Sequence, residues 1–187
     1  MRLFVALDLR QEVREAIRDL IARLKPASRN ARWVRPEGMH VTLKFIGYVA
    51  AEQLDPIRAA LSRIRSDRPV EMRFRGIGFF PNEKRPRVIW CGIEASANLA
   101  PLGADIECSL EPLGIAPESR EFVPHLTLAR FNPPARADEL VRAAAELQSV
   151  ELGSARETEF HLFESILRPT GAEYKKLADY SFVQGAA

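Results

Sequence analysis

Apolar residues along this chain of 187 residues follow two spacings, one typical of helices and one typical of strands. Positions three and four residues apart are apolar in four segments, which predicts helices at Gln11–Leu24, Glu52–Arg65, Leu99–Leu113 and Ala135–Leu147. Short apolar runs predict strands at Leu3–Leu9, Met39–Val49, Val70–Phe80, Arg87–Glu94, Phe122–Phe131, Val150–Leu167 and Tyr174–Phe182. A brief extended piece is expected at Trp33–Val34.

The links between the later strands indicate how those strands pair. Pro81–Pro86 and Arg168–Gly171 are rich in turn-forming residues and join neighbouring strands, which is typical of hairpins. Hairpins favour an antiparallel α+β architecture over a doubly wound parallel sheet. Because no low-complexity linker divides the chain, we expect a single domain covering residues 1–187.

Two of the three histidines lie in the same short pattern. Residues His40–Leu43 have the sequence HVTL and residues His125–Leu128 have the sequence HLTL, 85 positions apart (125 − 40). Because side chains alternate along a strand, the histidine and threonine of each pattern project to one face and the two aliphatic residues to the other. The repeat predicts one site built from two related halves, and its spacing suits a duplicated half-domain.

These residue types favour acid–base chemistry at phosphorus. One imidazole can accept a proton and the other can donate one near neutral pH, while threonine hydroxyls hold the phosphate oxygens. Other chemistries lack their usual patterns, since the chain has no HExxH or CxxC for a metal and no GxSxG for a nucleophile. We therefore expect no metal at this site.

Composition narrows the cellular setting. A net charge of +2 does not imply a surface that coats nucleic acid, although 22 of the 27 basic residues are arginine, which suits phosphate contacts. The two cysteines, Cys91 and Cys108, show no metal spacing and are expected to be buried free thiols. The apolar runs are too short to cross a membrane and no signal peptide follows Met1, so we expect a cytoplasmic protein.

The two motifs resemble the signature of the two-histidine phosphoesterase superfamily. The segments around them are similar to the RNA 2′,3′-cyclic phosphodiesterase branch, which is also called the 2′-5′ RNA ligase or LigT-like family. The resemblance runs from about Arg2 to Phe182. It rests on RLFVAL at Arg2–Leu7, WVRPEGMHVTLKFIG at Trp33–Gly47, RPRVIW at Arg85–Trp90, VPHLTLAR at Val123–Arg130 and FESILRPTGAEY at Phe163–Tyr174.

The resemblance implies a bilobal α+β fold with pseudo-twofold, intertwined lobes. Two antiparallel sheets would face a central cleft, with the helices on the outside. The implied reaction opens a terminal RNA 2′,3′-cyclic phosphate to a 2′-phosphate, so that the 3′ oxygen leaves. His40 would be the proton donor and His125 the acceptor that activates water, although two pseudo-symmetric imidazoles could exchange these roles. Thr42 and Thr127 would bind the phosphate, and no cofactor is expected. The family's other activity ligates tRNA halves through a 2′-5′ bond.

Residues beside the motifs are placed by the same alternation. Arg130 matches the family's phosphate-binding arginine, but strict alternation points it away from the site unless the strand bulges. Lys44 shares the alternation of the first motif, yet a lysine near a strand end is usually solvated, and Phe45 falls on the opposite face. Tyr174, after a glycine-containing loop, is a candidate platform for stacking a base. His161 has no threonine two residues on, so a structural or exposed role is expected.

Two other functions stay open on the sequence. The same chemistry could act on a small cyclic nucleotide or an ADP-ribose cyclic phosphate, since the net charge is modest. A non-catalytic RNA-binding module is the alternative from another class, and the intact histidine and threonine of both motifs argue against it. Nothing suggests an obligate partner, so we expect a monomer whose substrate is RNA with a 2′,3′-cyclic phosphate end.

Overall fold

A computed structural model of the chain describes residues 1–28, 30–119, 121–132, 136–168 and 171–182. Within these ranges the α-helices are α1 (Gln11–Leu24), α2 (Leu54–Leu61), α3 (Leu99–Leu110) and α4 (Asp138–Ala145). The strands are β1 (Arg2–Leu7), β2 (Arg32–Trp33), β3 (Val41–Tyr48), β4 (Val70–Phe80), β5 (Val88–Ala95), β6 (His125–Arg130), β7 (Glu151–Glu157), β8 (Glu159–Arg168) and β9 (Gly171–Ser181).

The strands form two antiparallel sheets. The first has the order β3-β1-β8-β9, and the second has the order β2-β6-β5-β4-β7. The predicted α+β class with antiparallel sheets is therefore confirmed. Each sheet carries one motif, because His40 directly precedes β3 and His125 begins β6.

The helices connect the two sheets through their packing. Helix α1 follows β1 of the first sheet but packs against β7 of the second. Helix α3 follows β5 of the second sheet and packs against β3 of the first. Helix α1 buries one face with apolar residues at helical spacing, namely Val13, Ile17, Leu20, Ile21 and Leu24. Each sheet is thus covered in part by a helix that follows a strand of the other sheet.

The predicted strand Val150–Leu167 is wrong as a single element. The structure divides it at Thr158 into β7 and β8. Strand β7 pairs with β4 in the second sheet, whereas β8 pairs with β1 in the first. The chain passes from one sheet to the other at this residue. The spacing of apolar residues does not show which strand a segment pairs with, so the sequence did not predict this change. Residue 135 of the predicted fourth helix and residues 169–170 of the predicted turn lie outside the described residues.

A main hydrophobic core is supplied by both sheets and by the inner faces of the helices. A separate cluster of Phe4, Ala6 and Phe163 lies on the opposite face of the first sheet. None of the helices in the described part of the chain is long and apolar enough to span a membrane.

Both cysteines are free, as predicted, but only one of them is buried. Burial raises the pKa of the Cys91 thiol to about 12. Cys108 is exposed, so its predicted burial is wrong. It lies two residues from both Ile106 and Leu110, which are buried, and two residues turn an α-helix by roughly 200°. Cys108 therefore faces away from the core.

Candidate active site

A β-bulge occurs at the same place in each motif. In the first sheet Thr42 lies opposite Ala6 and Lys44 lies opposite Val5, so Leu43 is an extra residue. In the second sheet Thr127 lies opposite Trp90 and Ala129 opposite Ile89, so Leu128 is an extra residue there. The bulged leucine is the third residue after the histidine in both motifs.

The bulges reverse the alternation that follows each threonine. Phe45 therefore shares the face of Thr42 and is 42% exposed, which corrects its prediction to the opposite face. Arg130 was expected to reach the site only if its strand bulges, and the bulge at Leu128 is present. Arg130 therefore shares the face of Thr127 and is exposed at the cleft. Lys44 turns to the other side and is only 2% exposed, so its predicted solvation is wrong.

The two motifs border one cleft. A pocket of about 710 Å³ is lined by the histidine and the threonine of both motifs and by Arg130. A second pocket, also of about 710 Å³, adjoins it and shares Thr42, Phe45, His125 and Arg130. The arrangement brings together all five residues predicted for the site. The space is large enough for a nucleotide on either side of the shared residues.

His40 sits in an aromatic environment. Its ring stacks on Phe4 at a centroid distance of 4.4 Å and meets the edge of Tyr174 at 5.0 Å. Burial is the largest influence on the imidazole and lowers its pKa to about 4. The hydrogen bond between Nδ1 and the Gly38 carbonyl, at 3.0 Å, opposes this shift. Among the nearby charges, those of Arg14 and Arg130 lower the pKa and that of Asp8 raises it.

Arg14 fixes the loop that delivers His40. Its guanidinium donates hydrogen bonds to the carbonyls of Pro36 at 2.7 Å and Met39 at 3.0 Å, and it forms an ion pair with Asp8. One side chain of α1 thus holds both ends of a short turn. Sequence reasoning missed this residue, because nothing in a helix pattern reveals which loop its arginine will reach.

His125 is held in a similar way by different neighbours. Its Nδ1 lies 2.8 Å from the carbonyl oxygen of Val123. The ring meets Phe80 edge-on at a centroid distance of 5.1 Å and Trp90 at 6.2 Å. Trp90 lies over Gly78, where any Cβ would come within 2.1 Å of its ring. Glycine is therefore required at this position for the tryptophan to keep its place beside His125.

Both histidines present the same nitrogen for chemistry. A carbonyl oxygen can only accept a hydrogen bond, so Nδ1 carries the hydrogen in each ring. Nε2 is left as the basic nitrogen of each neutral imidazole. Two such nitrogens, two hydroxyls and one guanidinium around a single cleft can accept a proton, donate a proton and bind an anion.

Tyr174, predicted as a stacking platform, borders the same pocket and is 37% exposed. Its edge contacts Phe4 at 5.3 Å as well as His40. Arg2 also lines this pocket, and its guanidinium lies 4.8 Å above the ring of Phe45. Arg2 was not predicted, although its place at the start of an apolar strand is the signal that could have drawn attention to it.

His161 has the structural role that was expected. It is 2% exposed, and its Nδ1 lies 2.7 Å from Asp179. Together with Glu159 these residues place three ligand-type atoms within 4.8 Å of one another in the described part of the chain. A cationic side chain already occupies this neighbourhood, since Lys176 Nζ lies 3.3 Å from Asp179. The contacts of this cluster therefore include the hydrogen bond between His161 and Asp179 and the ion pair between Lys176 and Asp179.

Known proteins resemble this chain over almost all of its length. Residues 7–90 and 93–174 match the family described as LigT-like phosphoesterase. The RNA 2′,3′-cyclic phosphodiesterase of Methanothermobacter thermautotrophicus is 37% identical over 93% of this chain and 95% of its own length. The Archaeoglobus fulgidus protein of the same name is 34% identical over 95% of this chain and 98% of its own.

Solved structures share the fold. The crystal structure of TT0787 from Thermus thermophilus superposes with a TM-score of 0.82 at 32% identity, covering 97% of this chain and 98% of that one. Escherichia coli LigT in complex with 3′-AMP gives a TM-score of 0.77 at 27% identity, covering 98% of each chain. The part of this chain covered by the superpositions therefore includes nearly all of both sheets.

Proposed function

The chain belongs to the LigT-like phosphoesterase family, and from its site we propose that it hydrolyses the terminal 2′,3′-cyclic phosphate of RNA to a 2′-phosphate. The observation that carries the proposal is the pair of histidines bordering one cleft, each with Nδ1 tied to a backbone carbonyl. The names of the relatives support an RNA 2′,3′-cyclic phosphate as substrate.

In the proposed reaction His125 accepts a proton from water, and the oxygen of that water attacks phosphorus. His40 donates a proton to the 3′ oxygen as its bond to phosphorus breaks, leaving the phosphate on the 2′ oxygen. Thr42 and Thr127 donate hydrogen bonds to the non-bridging oxygens, and Arg130 adds a fixed positive charge. The charge that develops on the phosphoryl group is met by these donors and by the imidazolium.

The pKa of His40 bears on this assignment of roles. At about 4 it makes the imidazole of the free protein neutral near pH 7, which is the form of a base. A proton donor at this position must therefore gain its proton when the anionic phosphate enters the cleft. If it does not, the two histidines exchange roles, with His40 accepting the proton from water and His125 donating to the leaving oxygen.

The function is tested with an RNA oligonucleotide that ends in a 2′,3′-cyclic phosphate, incubated with the protein in excess EDTA. We expect conversion to the 2′-phosphate, identified by chromatography against both product isomers. His40→Gln and His125→Gln should each lower the rate by about 10²–10⁴-fold, because each removes one proton transfer. Full turnover in either variant, or a 3′-phosphate product, would contradict the proposal.

The roles of the two histidines are separated by a substrate in which sulfur replaces the 3′ oxygen of the cyclic phosphate. A thiolate leaves without a proton, so a variant that lacks the donor regains most of its rate on this substrate. A variant that lacks the acceptor does not. Recovery of His40→Gln but not of His125→Gln supports His40 as donor, and the opposite result assigns the exchanged roles.

We extend the proposal to the cellular compartment and to a ligation reaction. The two free thiols, one of them exposed, suit a reducing compartment such as the cytoplasm. A 5′-hydroxyl can replace water as the nucleophile. His125 would then accept the hydroxyl proton and His40 would again donate a proton to the leaving 3′ oxygen, which would join RNA ends such as tRNA halves through a 2′-5′ bond. Ligation is tested by incubating the cyclic-phosphate oligonucleotide with a 5′-hydroxyl oligonucleotide and the protein. We also expect the protein to be a monomer, which gel filtration tests.

A further inference from the structure

A buried lysine lies directly behind the cleft. The Lys44 side chain is 1% exposed, and its Nζ lies 2.7 Å from Glu107 Oε2. It also donates a hydrogen bond to the carbonyl of Ala116 at 2.7 Å. Removing an ammonium group from water costs several kcal/mol unless such partners compensate, so this cation has a defined position.

This ion pair joins three separate segments. Lys44 belongs to β3, and Glu107 belongs to α3. The same Glu107 oxygen accepts a hydrogen bond from the backbone N–H of Glu118 at 3.1 Å. The chain that follows α3 is therefore attached to β3 at two neighbouring points, Ala116 and Glu118, through one ammonium group and one carboxylate.

Both sides of this attachment lead into the cleft. Because of the bulge at Leu43, Thr42 and Phe45 lie on the same face of β3, and the segment Thr42–Phe45, which includes Lys44, borders the second pocket. On the other side, Glu118, Glu121, Phe122 and Val123 line the second pocket of about 710 Å³. The ion pair thus links two parts of the lining of that pocket, one on β3 and one in the chain that follows α3.

We propose that Lys44 and Glu107 form a positioning clamp that holds the wall formed by Glu118, Glu121, Phe122 and Val123 against β3, so that the pocket fits the nucleotide next to the reacting phosphate. The clamp rests on the proposed function for its substrate. Lys44 does not bind the phosphate itself, because its ammonium group is buried and directed to Glu107 and Ala116. Lys44 affects the reaction indirectly, by holding the residues of this wall in position.

The chemistry of the pair suits positioning better than stabilisation. Replacing a buried ion pair by apolar residues of similar volume is often neutral or favourable for stability. Such a replacement removes the directional hydrogen bonds that the pair makes with the backbone. An apolar contact does not hold Ala116 and Glu118 at hydrogen-bonding distance. If the pair is a clamp, its apolar replacement should weaken substrate binding. If the pair is merely structural, the same replacement should leave substrate binding unchanged.

The test compares the native protein with Lys44→Met/Glu107→Leu, using the cyclic-phosphate oligonucleotide as substrate. We expect the unfolding midpoint to stay near the native value, the KM to rise at least fivefold, and kcat to change by less than threefold. Amide exchange at Glu118, followed by NMR, should become at least tenfold faster. Asn98→Ala is the matched control, because Asn98 is a buried polar residue whose hydrogen bonds go to Ser66, Arg68, Pro69 and Ser96.

The control should lose stability without any change in KM or in Glu118 exchange. An unchanged KM in the folded double variant would overturn the clamp, even if exchange at Glu118 became faster.

Should the double variant fail to fold, Glu107→Gln is the alternative. It keeps an acceptor oxygen and should raise KM by an intermediate factor; no rise overturns the clamp. If the native protein does not turn over the cyclic phosphate, the proposed function fails, and the clamp is then judged by calorimetric affinity for an oligonucleotide ending in a 2′-phosphate.

Discussion

The low pKa of His40 predicts a specific dependence of stability on pH. Burial among aromatic rings favours the neutral imidazole in the folded protein, with a pKa of about 4 against an ordinary value of 6.5. The unfolded chain therefore binds a proton as the pH falls below 6.5, while the folded protein does not until about pH 4. The stability that the neutral ring contributes is present above pH 6.5 and is lost as the pH falls towards 4.

The size of the effect follows from the two pKa values. The full shift of about 2.5 units corresponds to about 3.4 kcal/mol at 1.36 kcal/mol per unit. Only part of this is reached in an accessible pH range, and linkage gives a loss of about 2 kcal/mol between pH 7.5 and pH 5. Solvent at the cleft screens the ring, so this figure is an upper value.

The assay is urea unfolding of the native protein and of His40→Gln at pH values from 5 to 7.5. Glutamine does not titrate, so the difference in unfolding free energy between the two proteins isolates the contribution of His40. We expect the native protein to lose up to about 2 kcal/mol relative to the variant as the pH falls. NMR titration of the His40 ring provides an independent value for its pKa. Parallel curves, or a ring that titrates near 6.5, would refute the reasoning.

Three further predictions concern the walls of the cleft. Gly78→Ala should displace Trp90, since the new Cβ would lie 2.1 Å from its ring, and should lower the unfolding free energy by about 1–3 kcal/mol in urea titrations. Arg130→Lys keeps the charge but loses the planar fork, so kcat/KM should fall about tenfold, with a larger fall in Arg130→Gln. Tyr174→Leu should raise KM for the oligonucleotide by roughly tenfold if the ring stacks a base, whereas Tyr174→Phe should not, and equal KM values in the two variants would exclude stacking.

Alternation along the strands was sufficient to predict the motif side chains on one face, but it failed one residue after each threonine. Leu43 and Leu128 are apolar and buried, as they would be without a bulge, so their residue type does not reveal the extra residue. The bulge appears only when the partner strand is known. The burial of Lys44 is similarly hidden, because its partner Glu107 lies 63 residues away in the chain. Such contacts depend on the packing of helices against sheets, which periodicity alone does not determine.

The equivalent bulges also explain how two halves of similar backbone come to differ in chemistry. The fifth residue after the histidine reaches the cleft in both, and it is Phe45 in one half and Arg130 in the other. The fourth residue is buried in both, and it is Lys44 in one and Ala129 in the other. An exposed ring on one side and a guanidinium on the other make the two sides of the cleft chemically different, because an aromatic ring can stack with a base and a guanidinium can bind an anion. A substrate with a base and a phosphate can then meet the two imidazoles in one preferred orientation. In the reaction we propose, that orientation would decide which of the two ribose oxygens leaves.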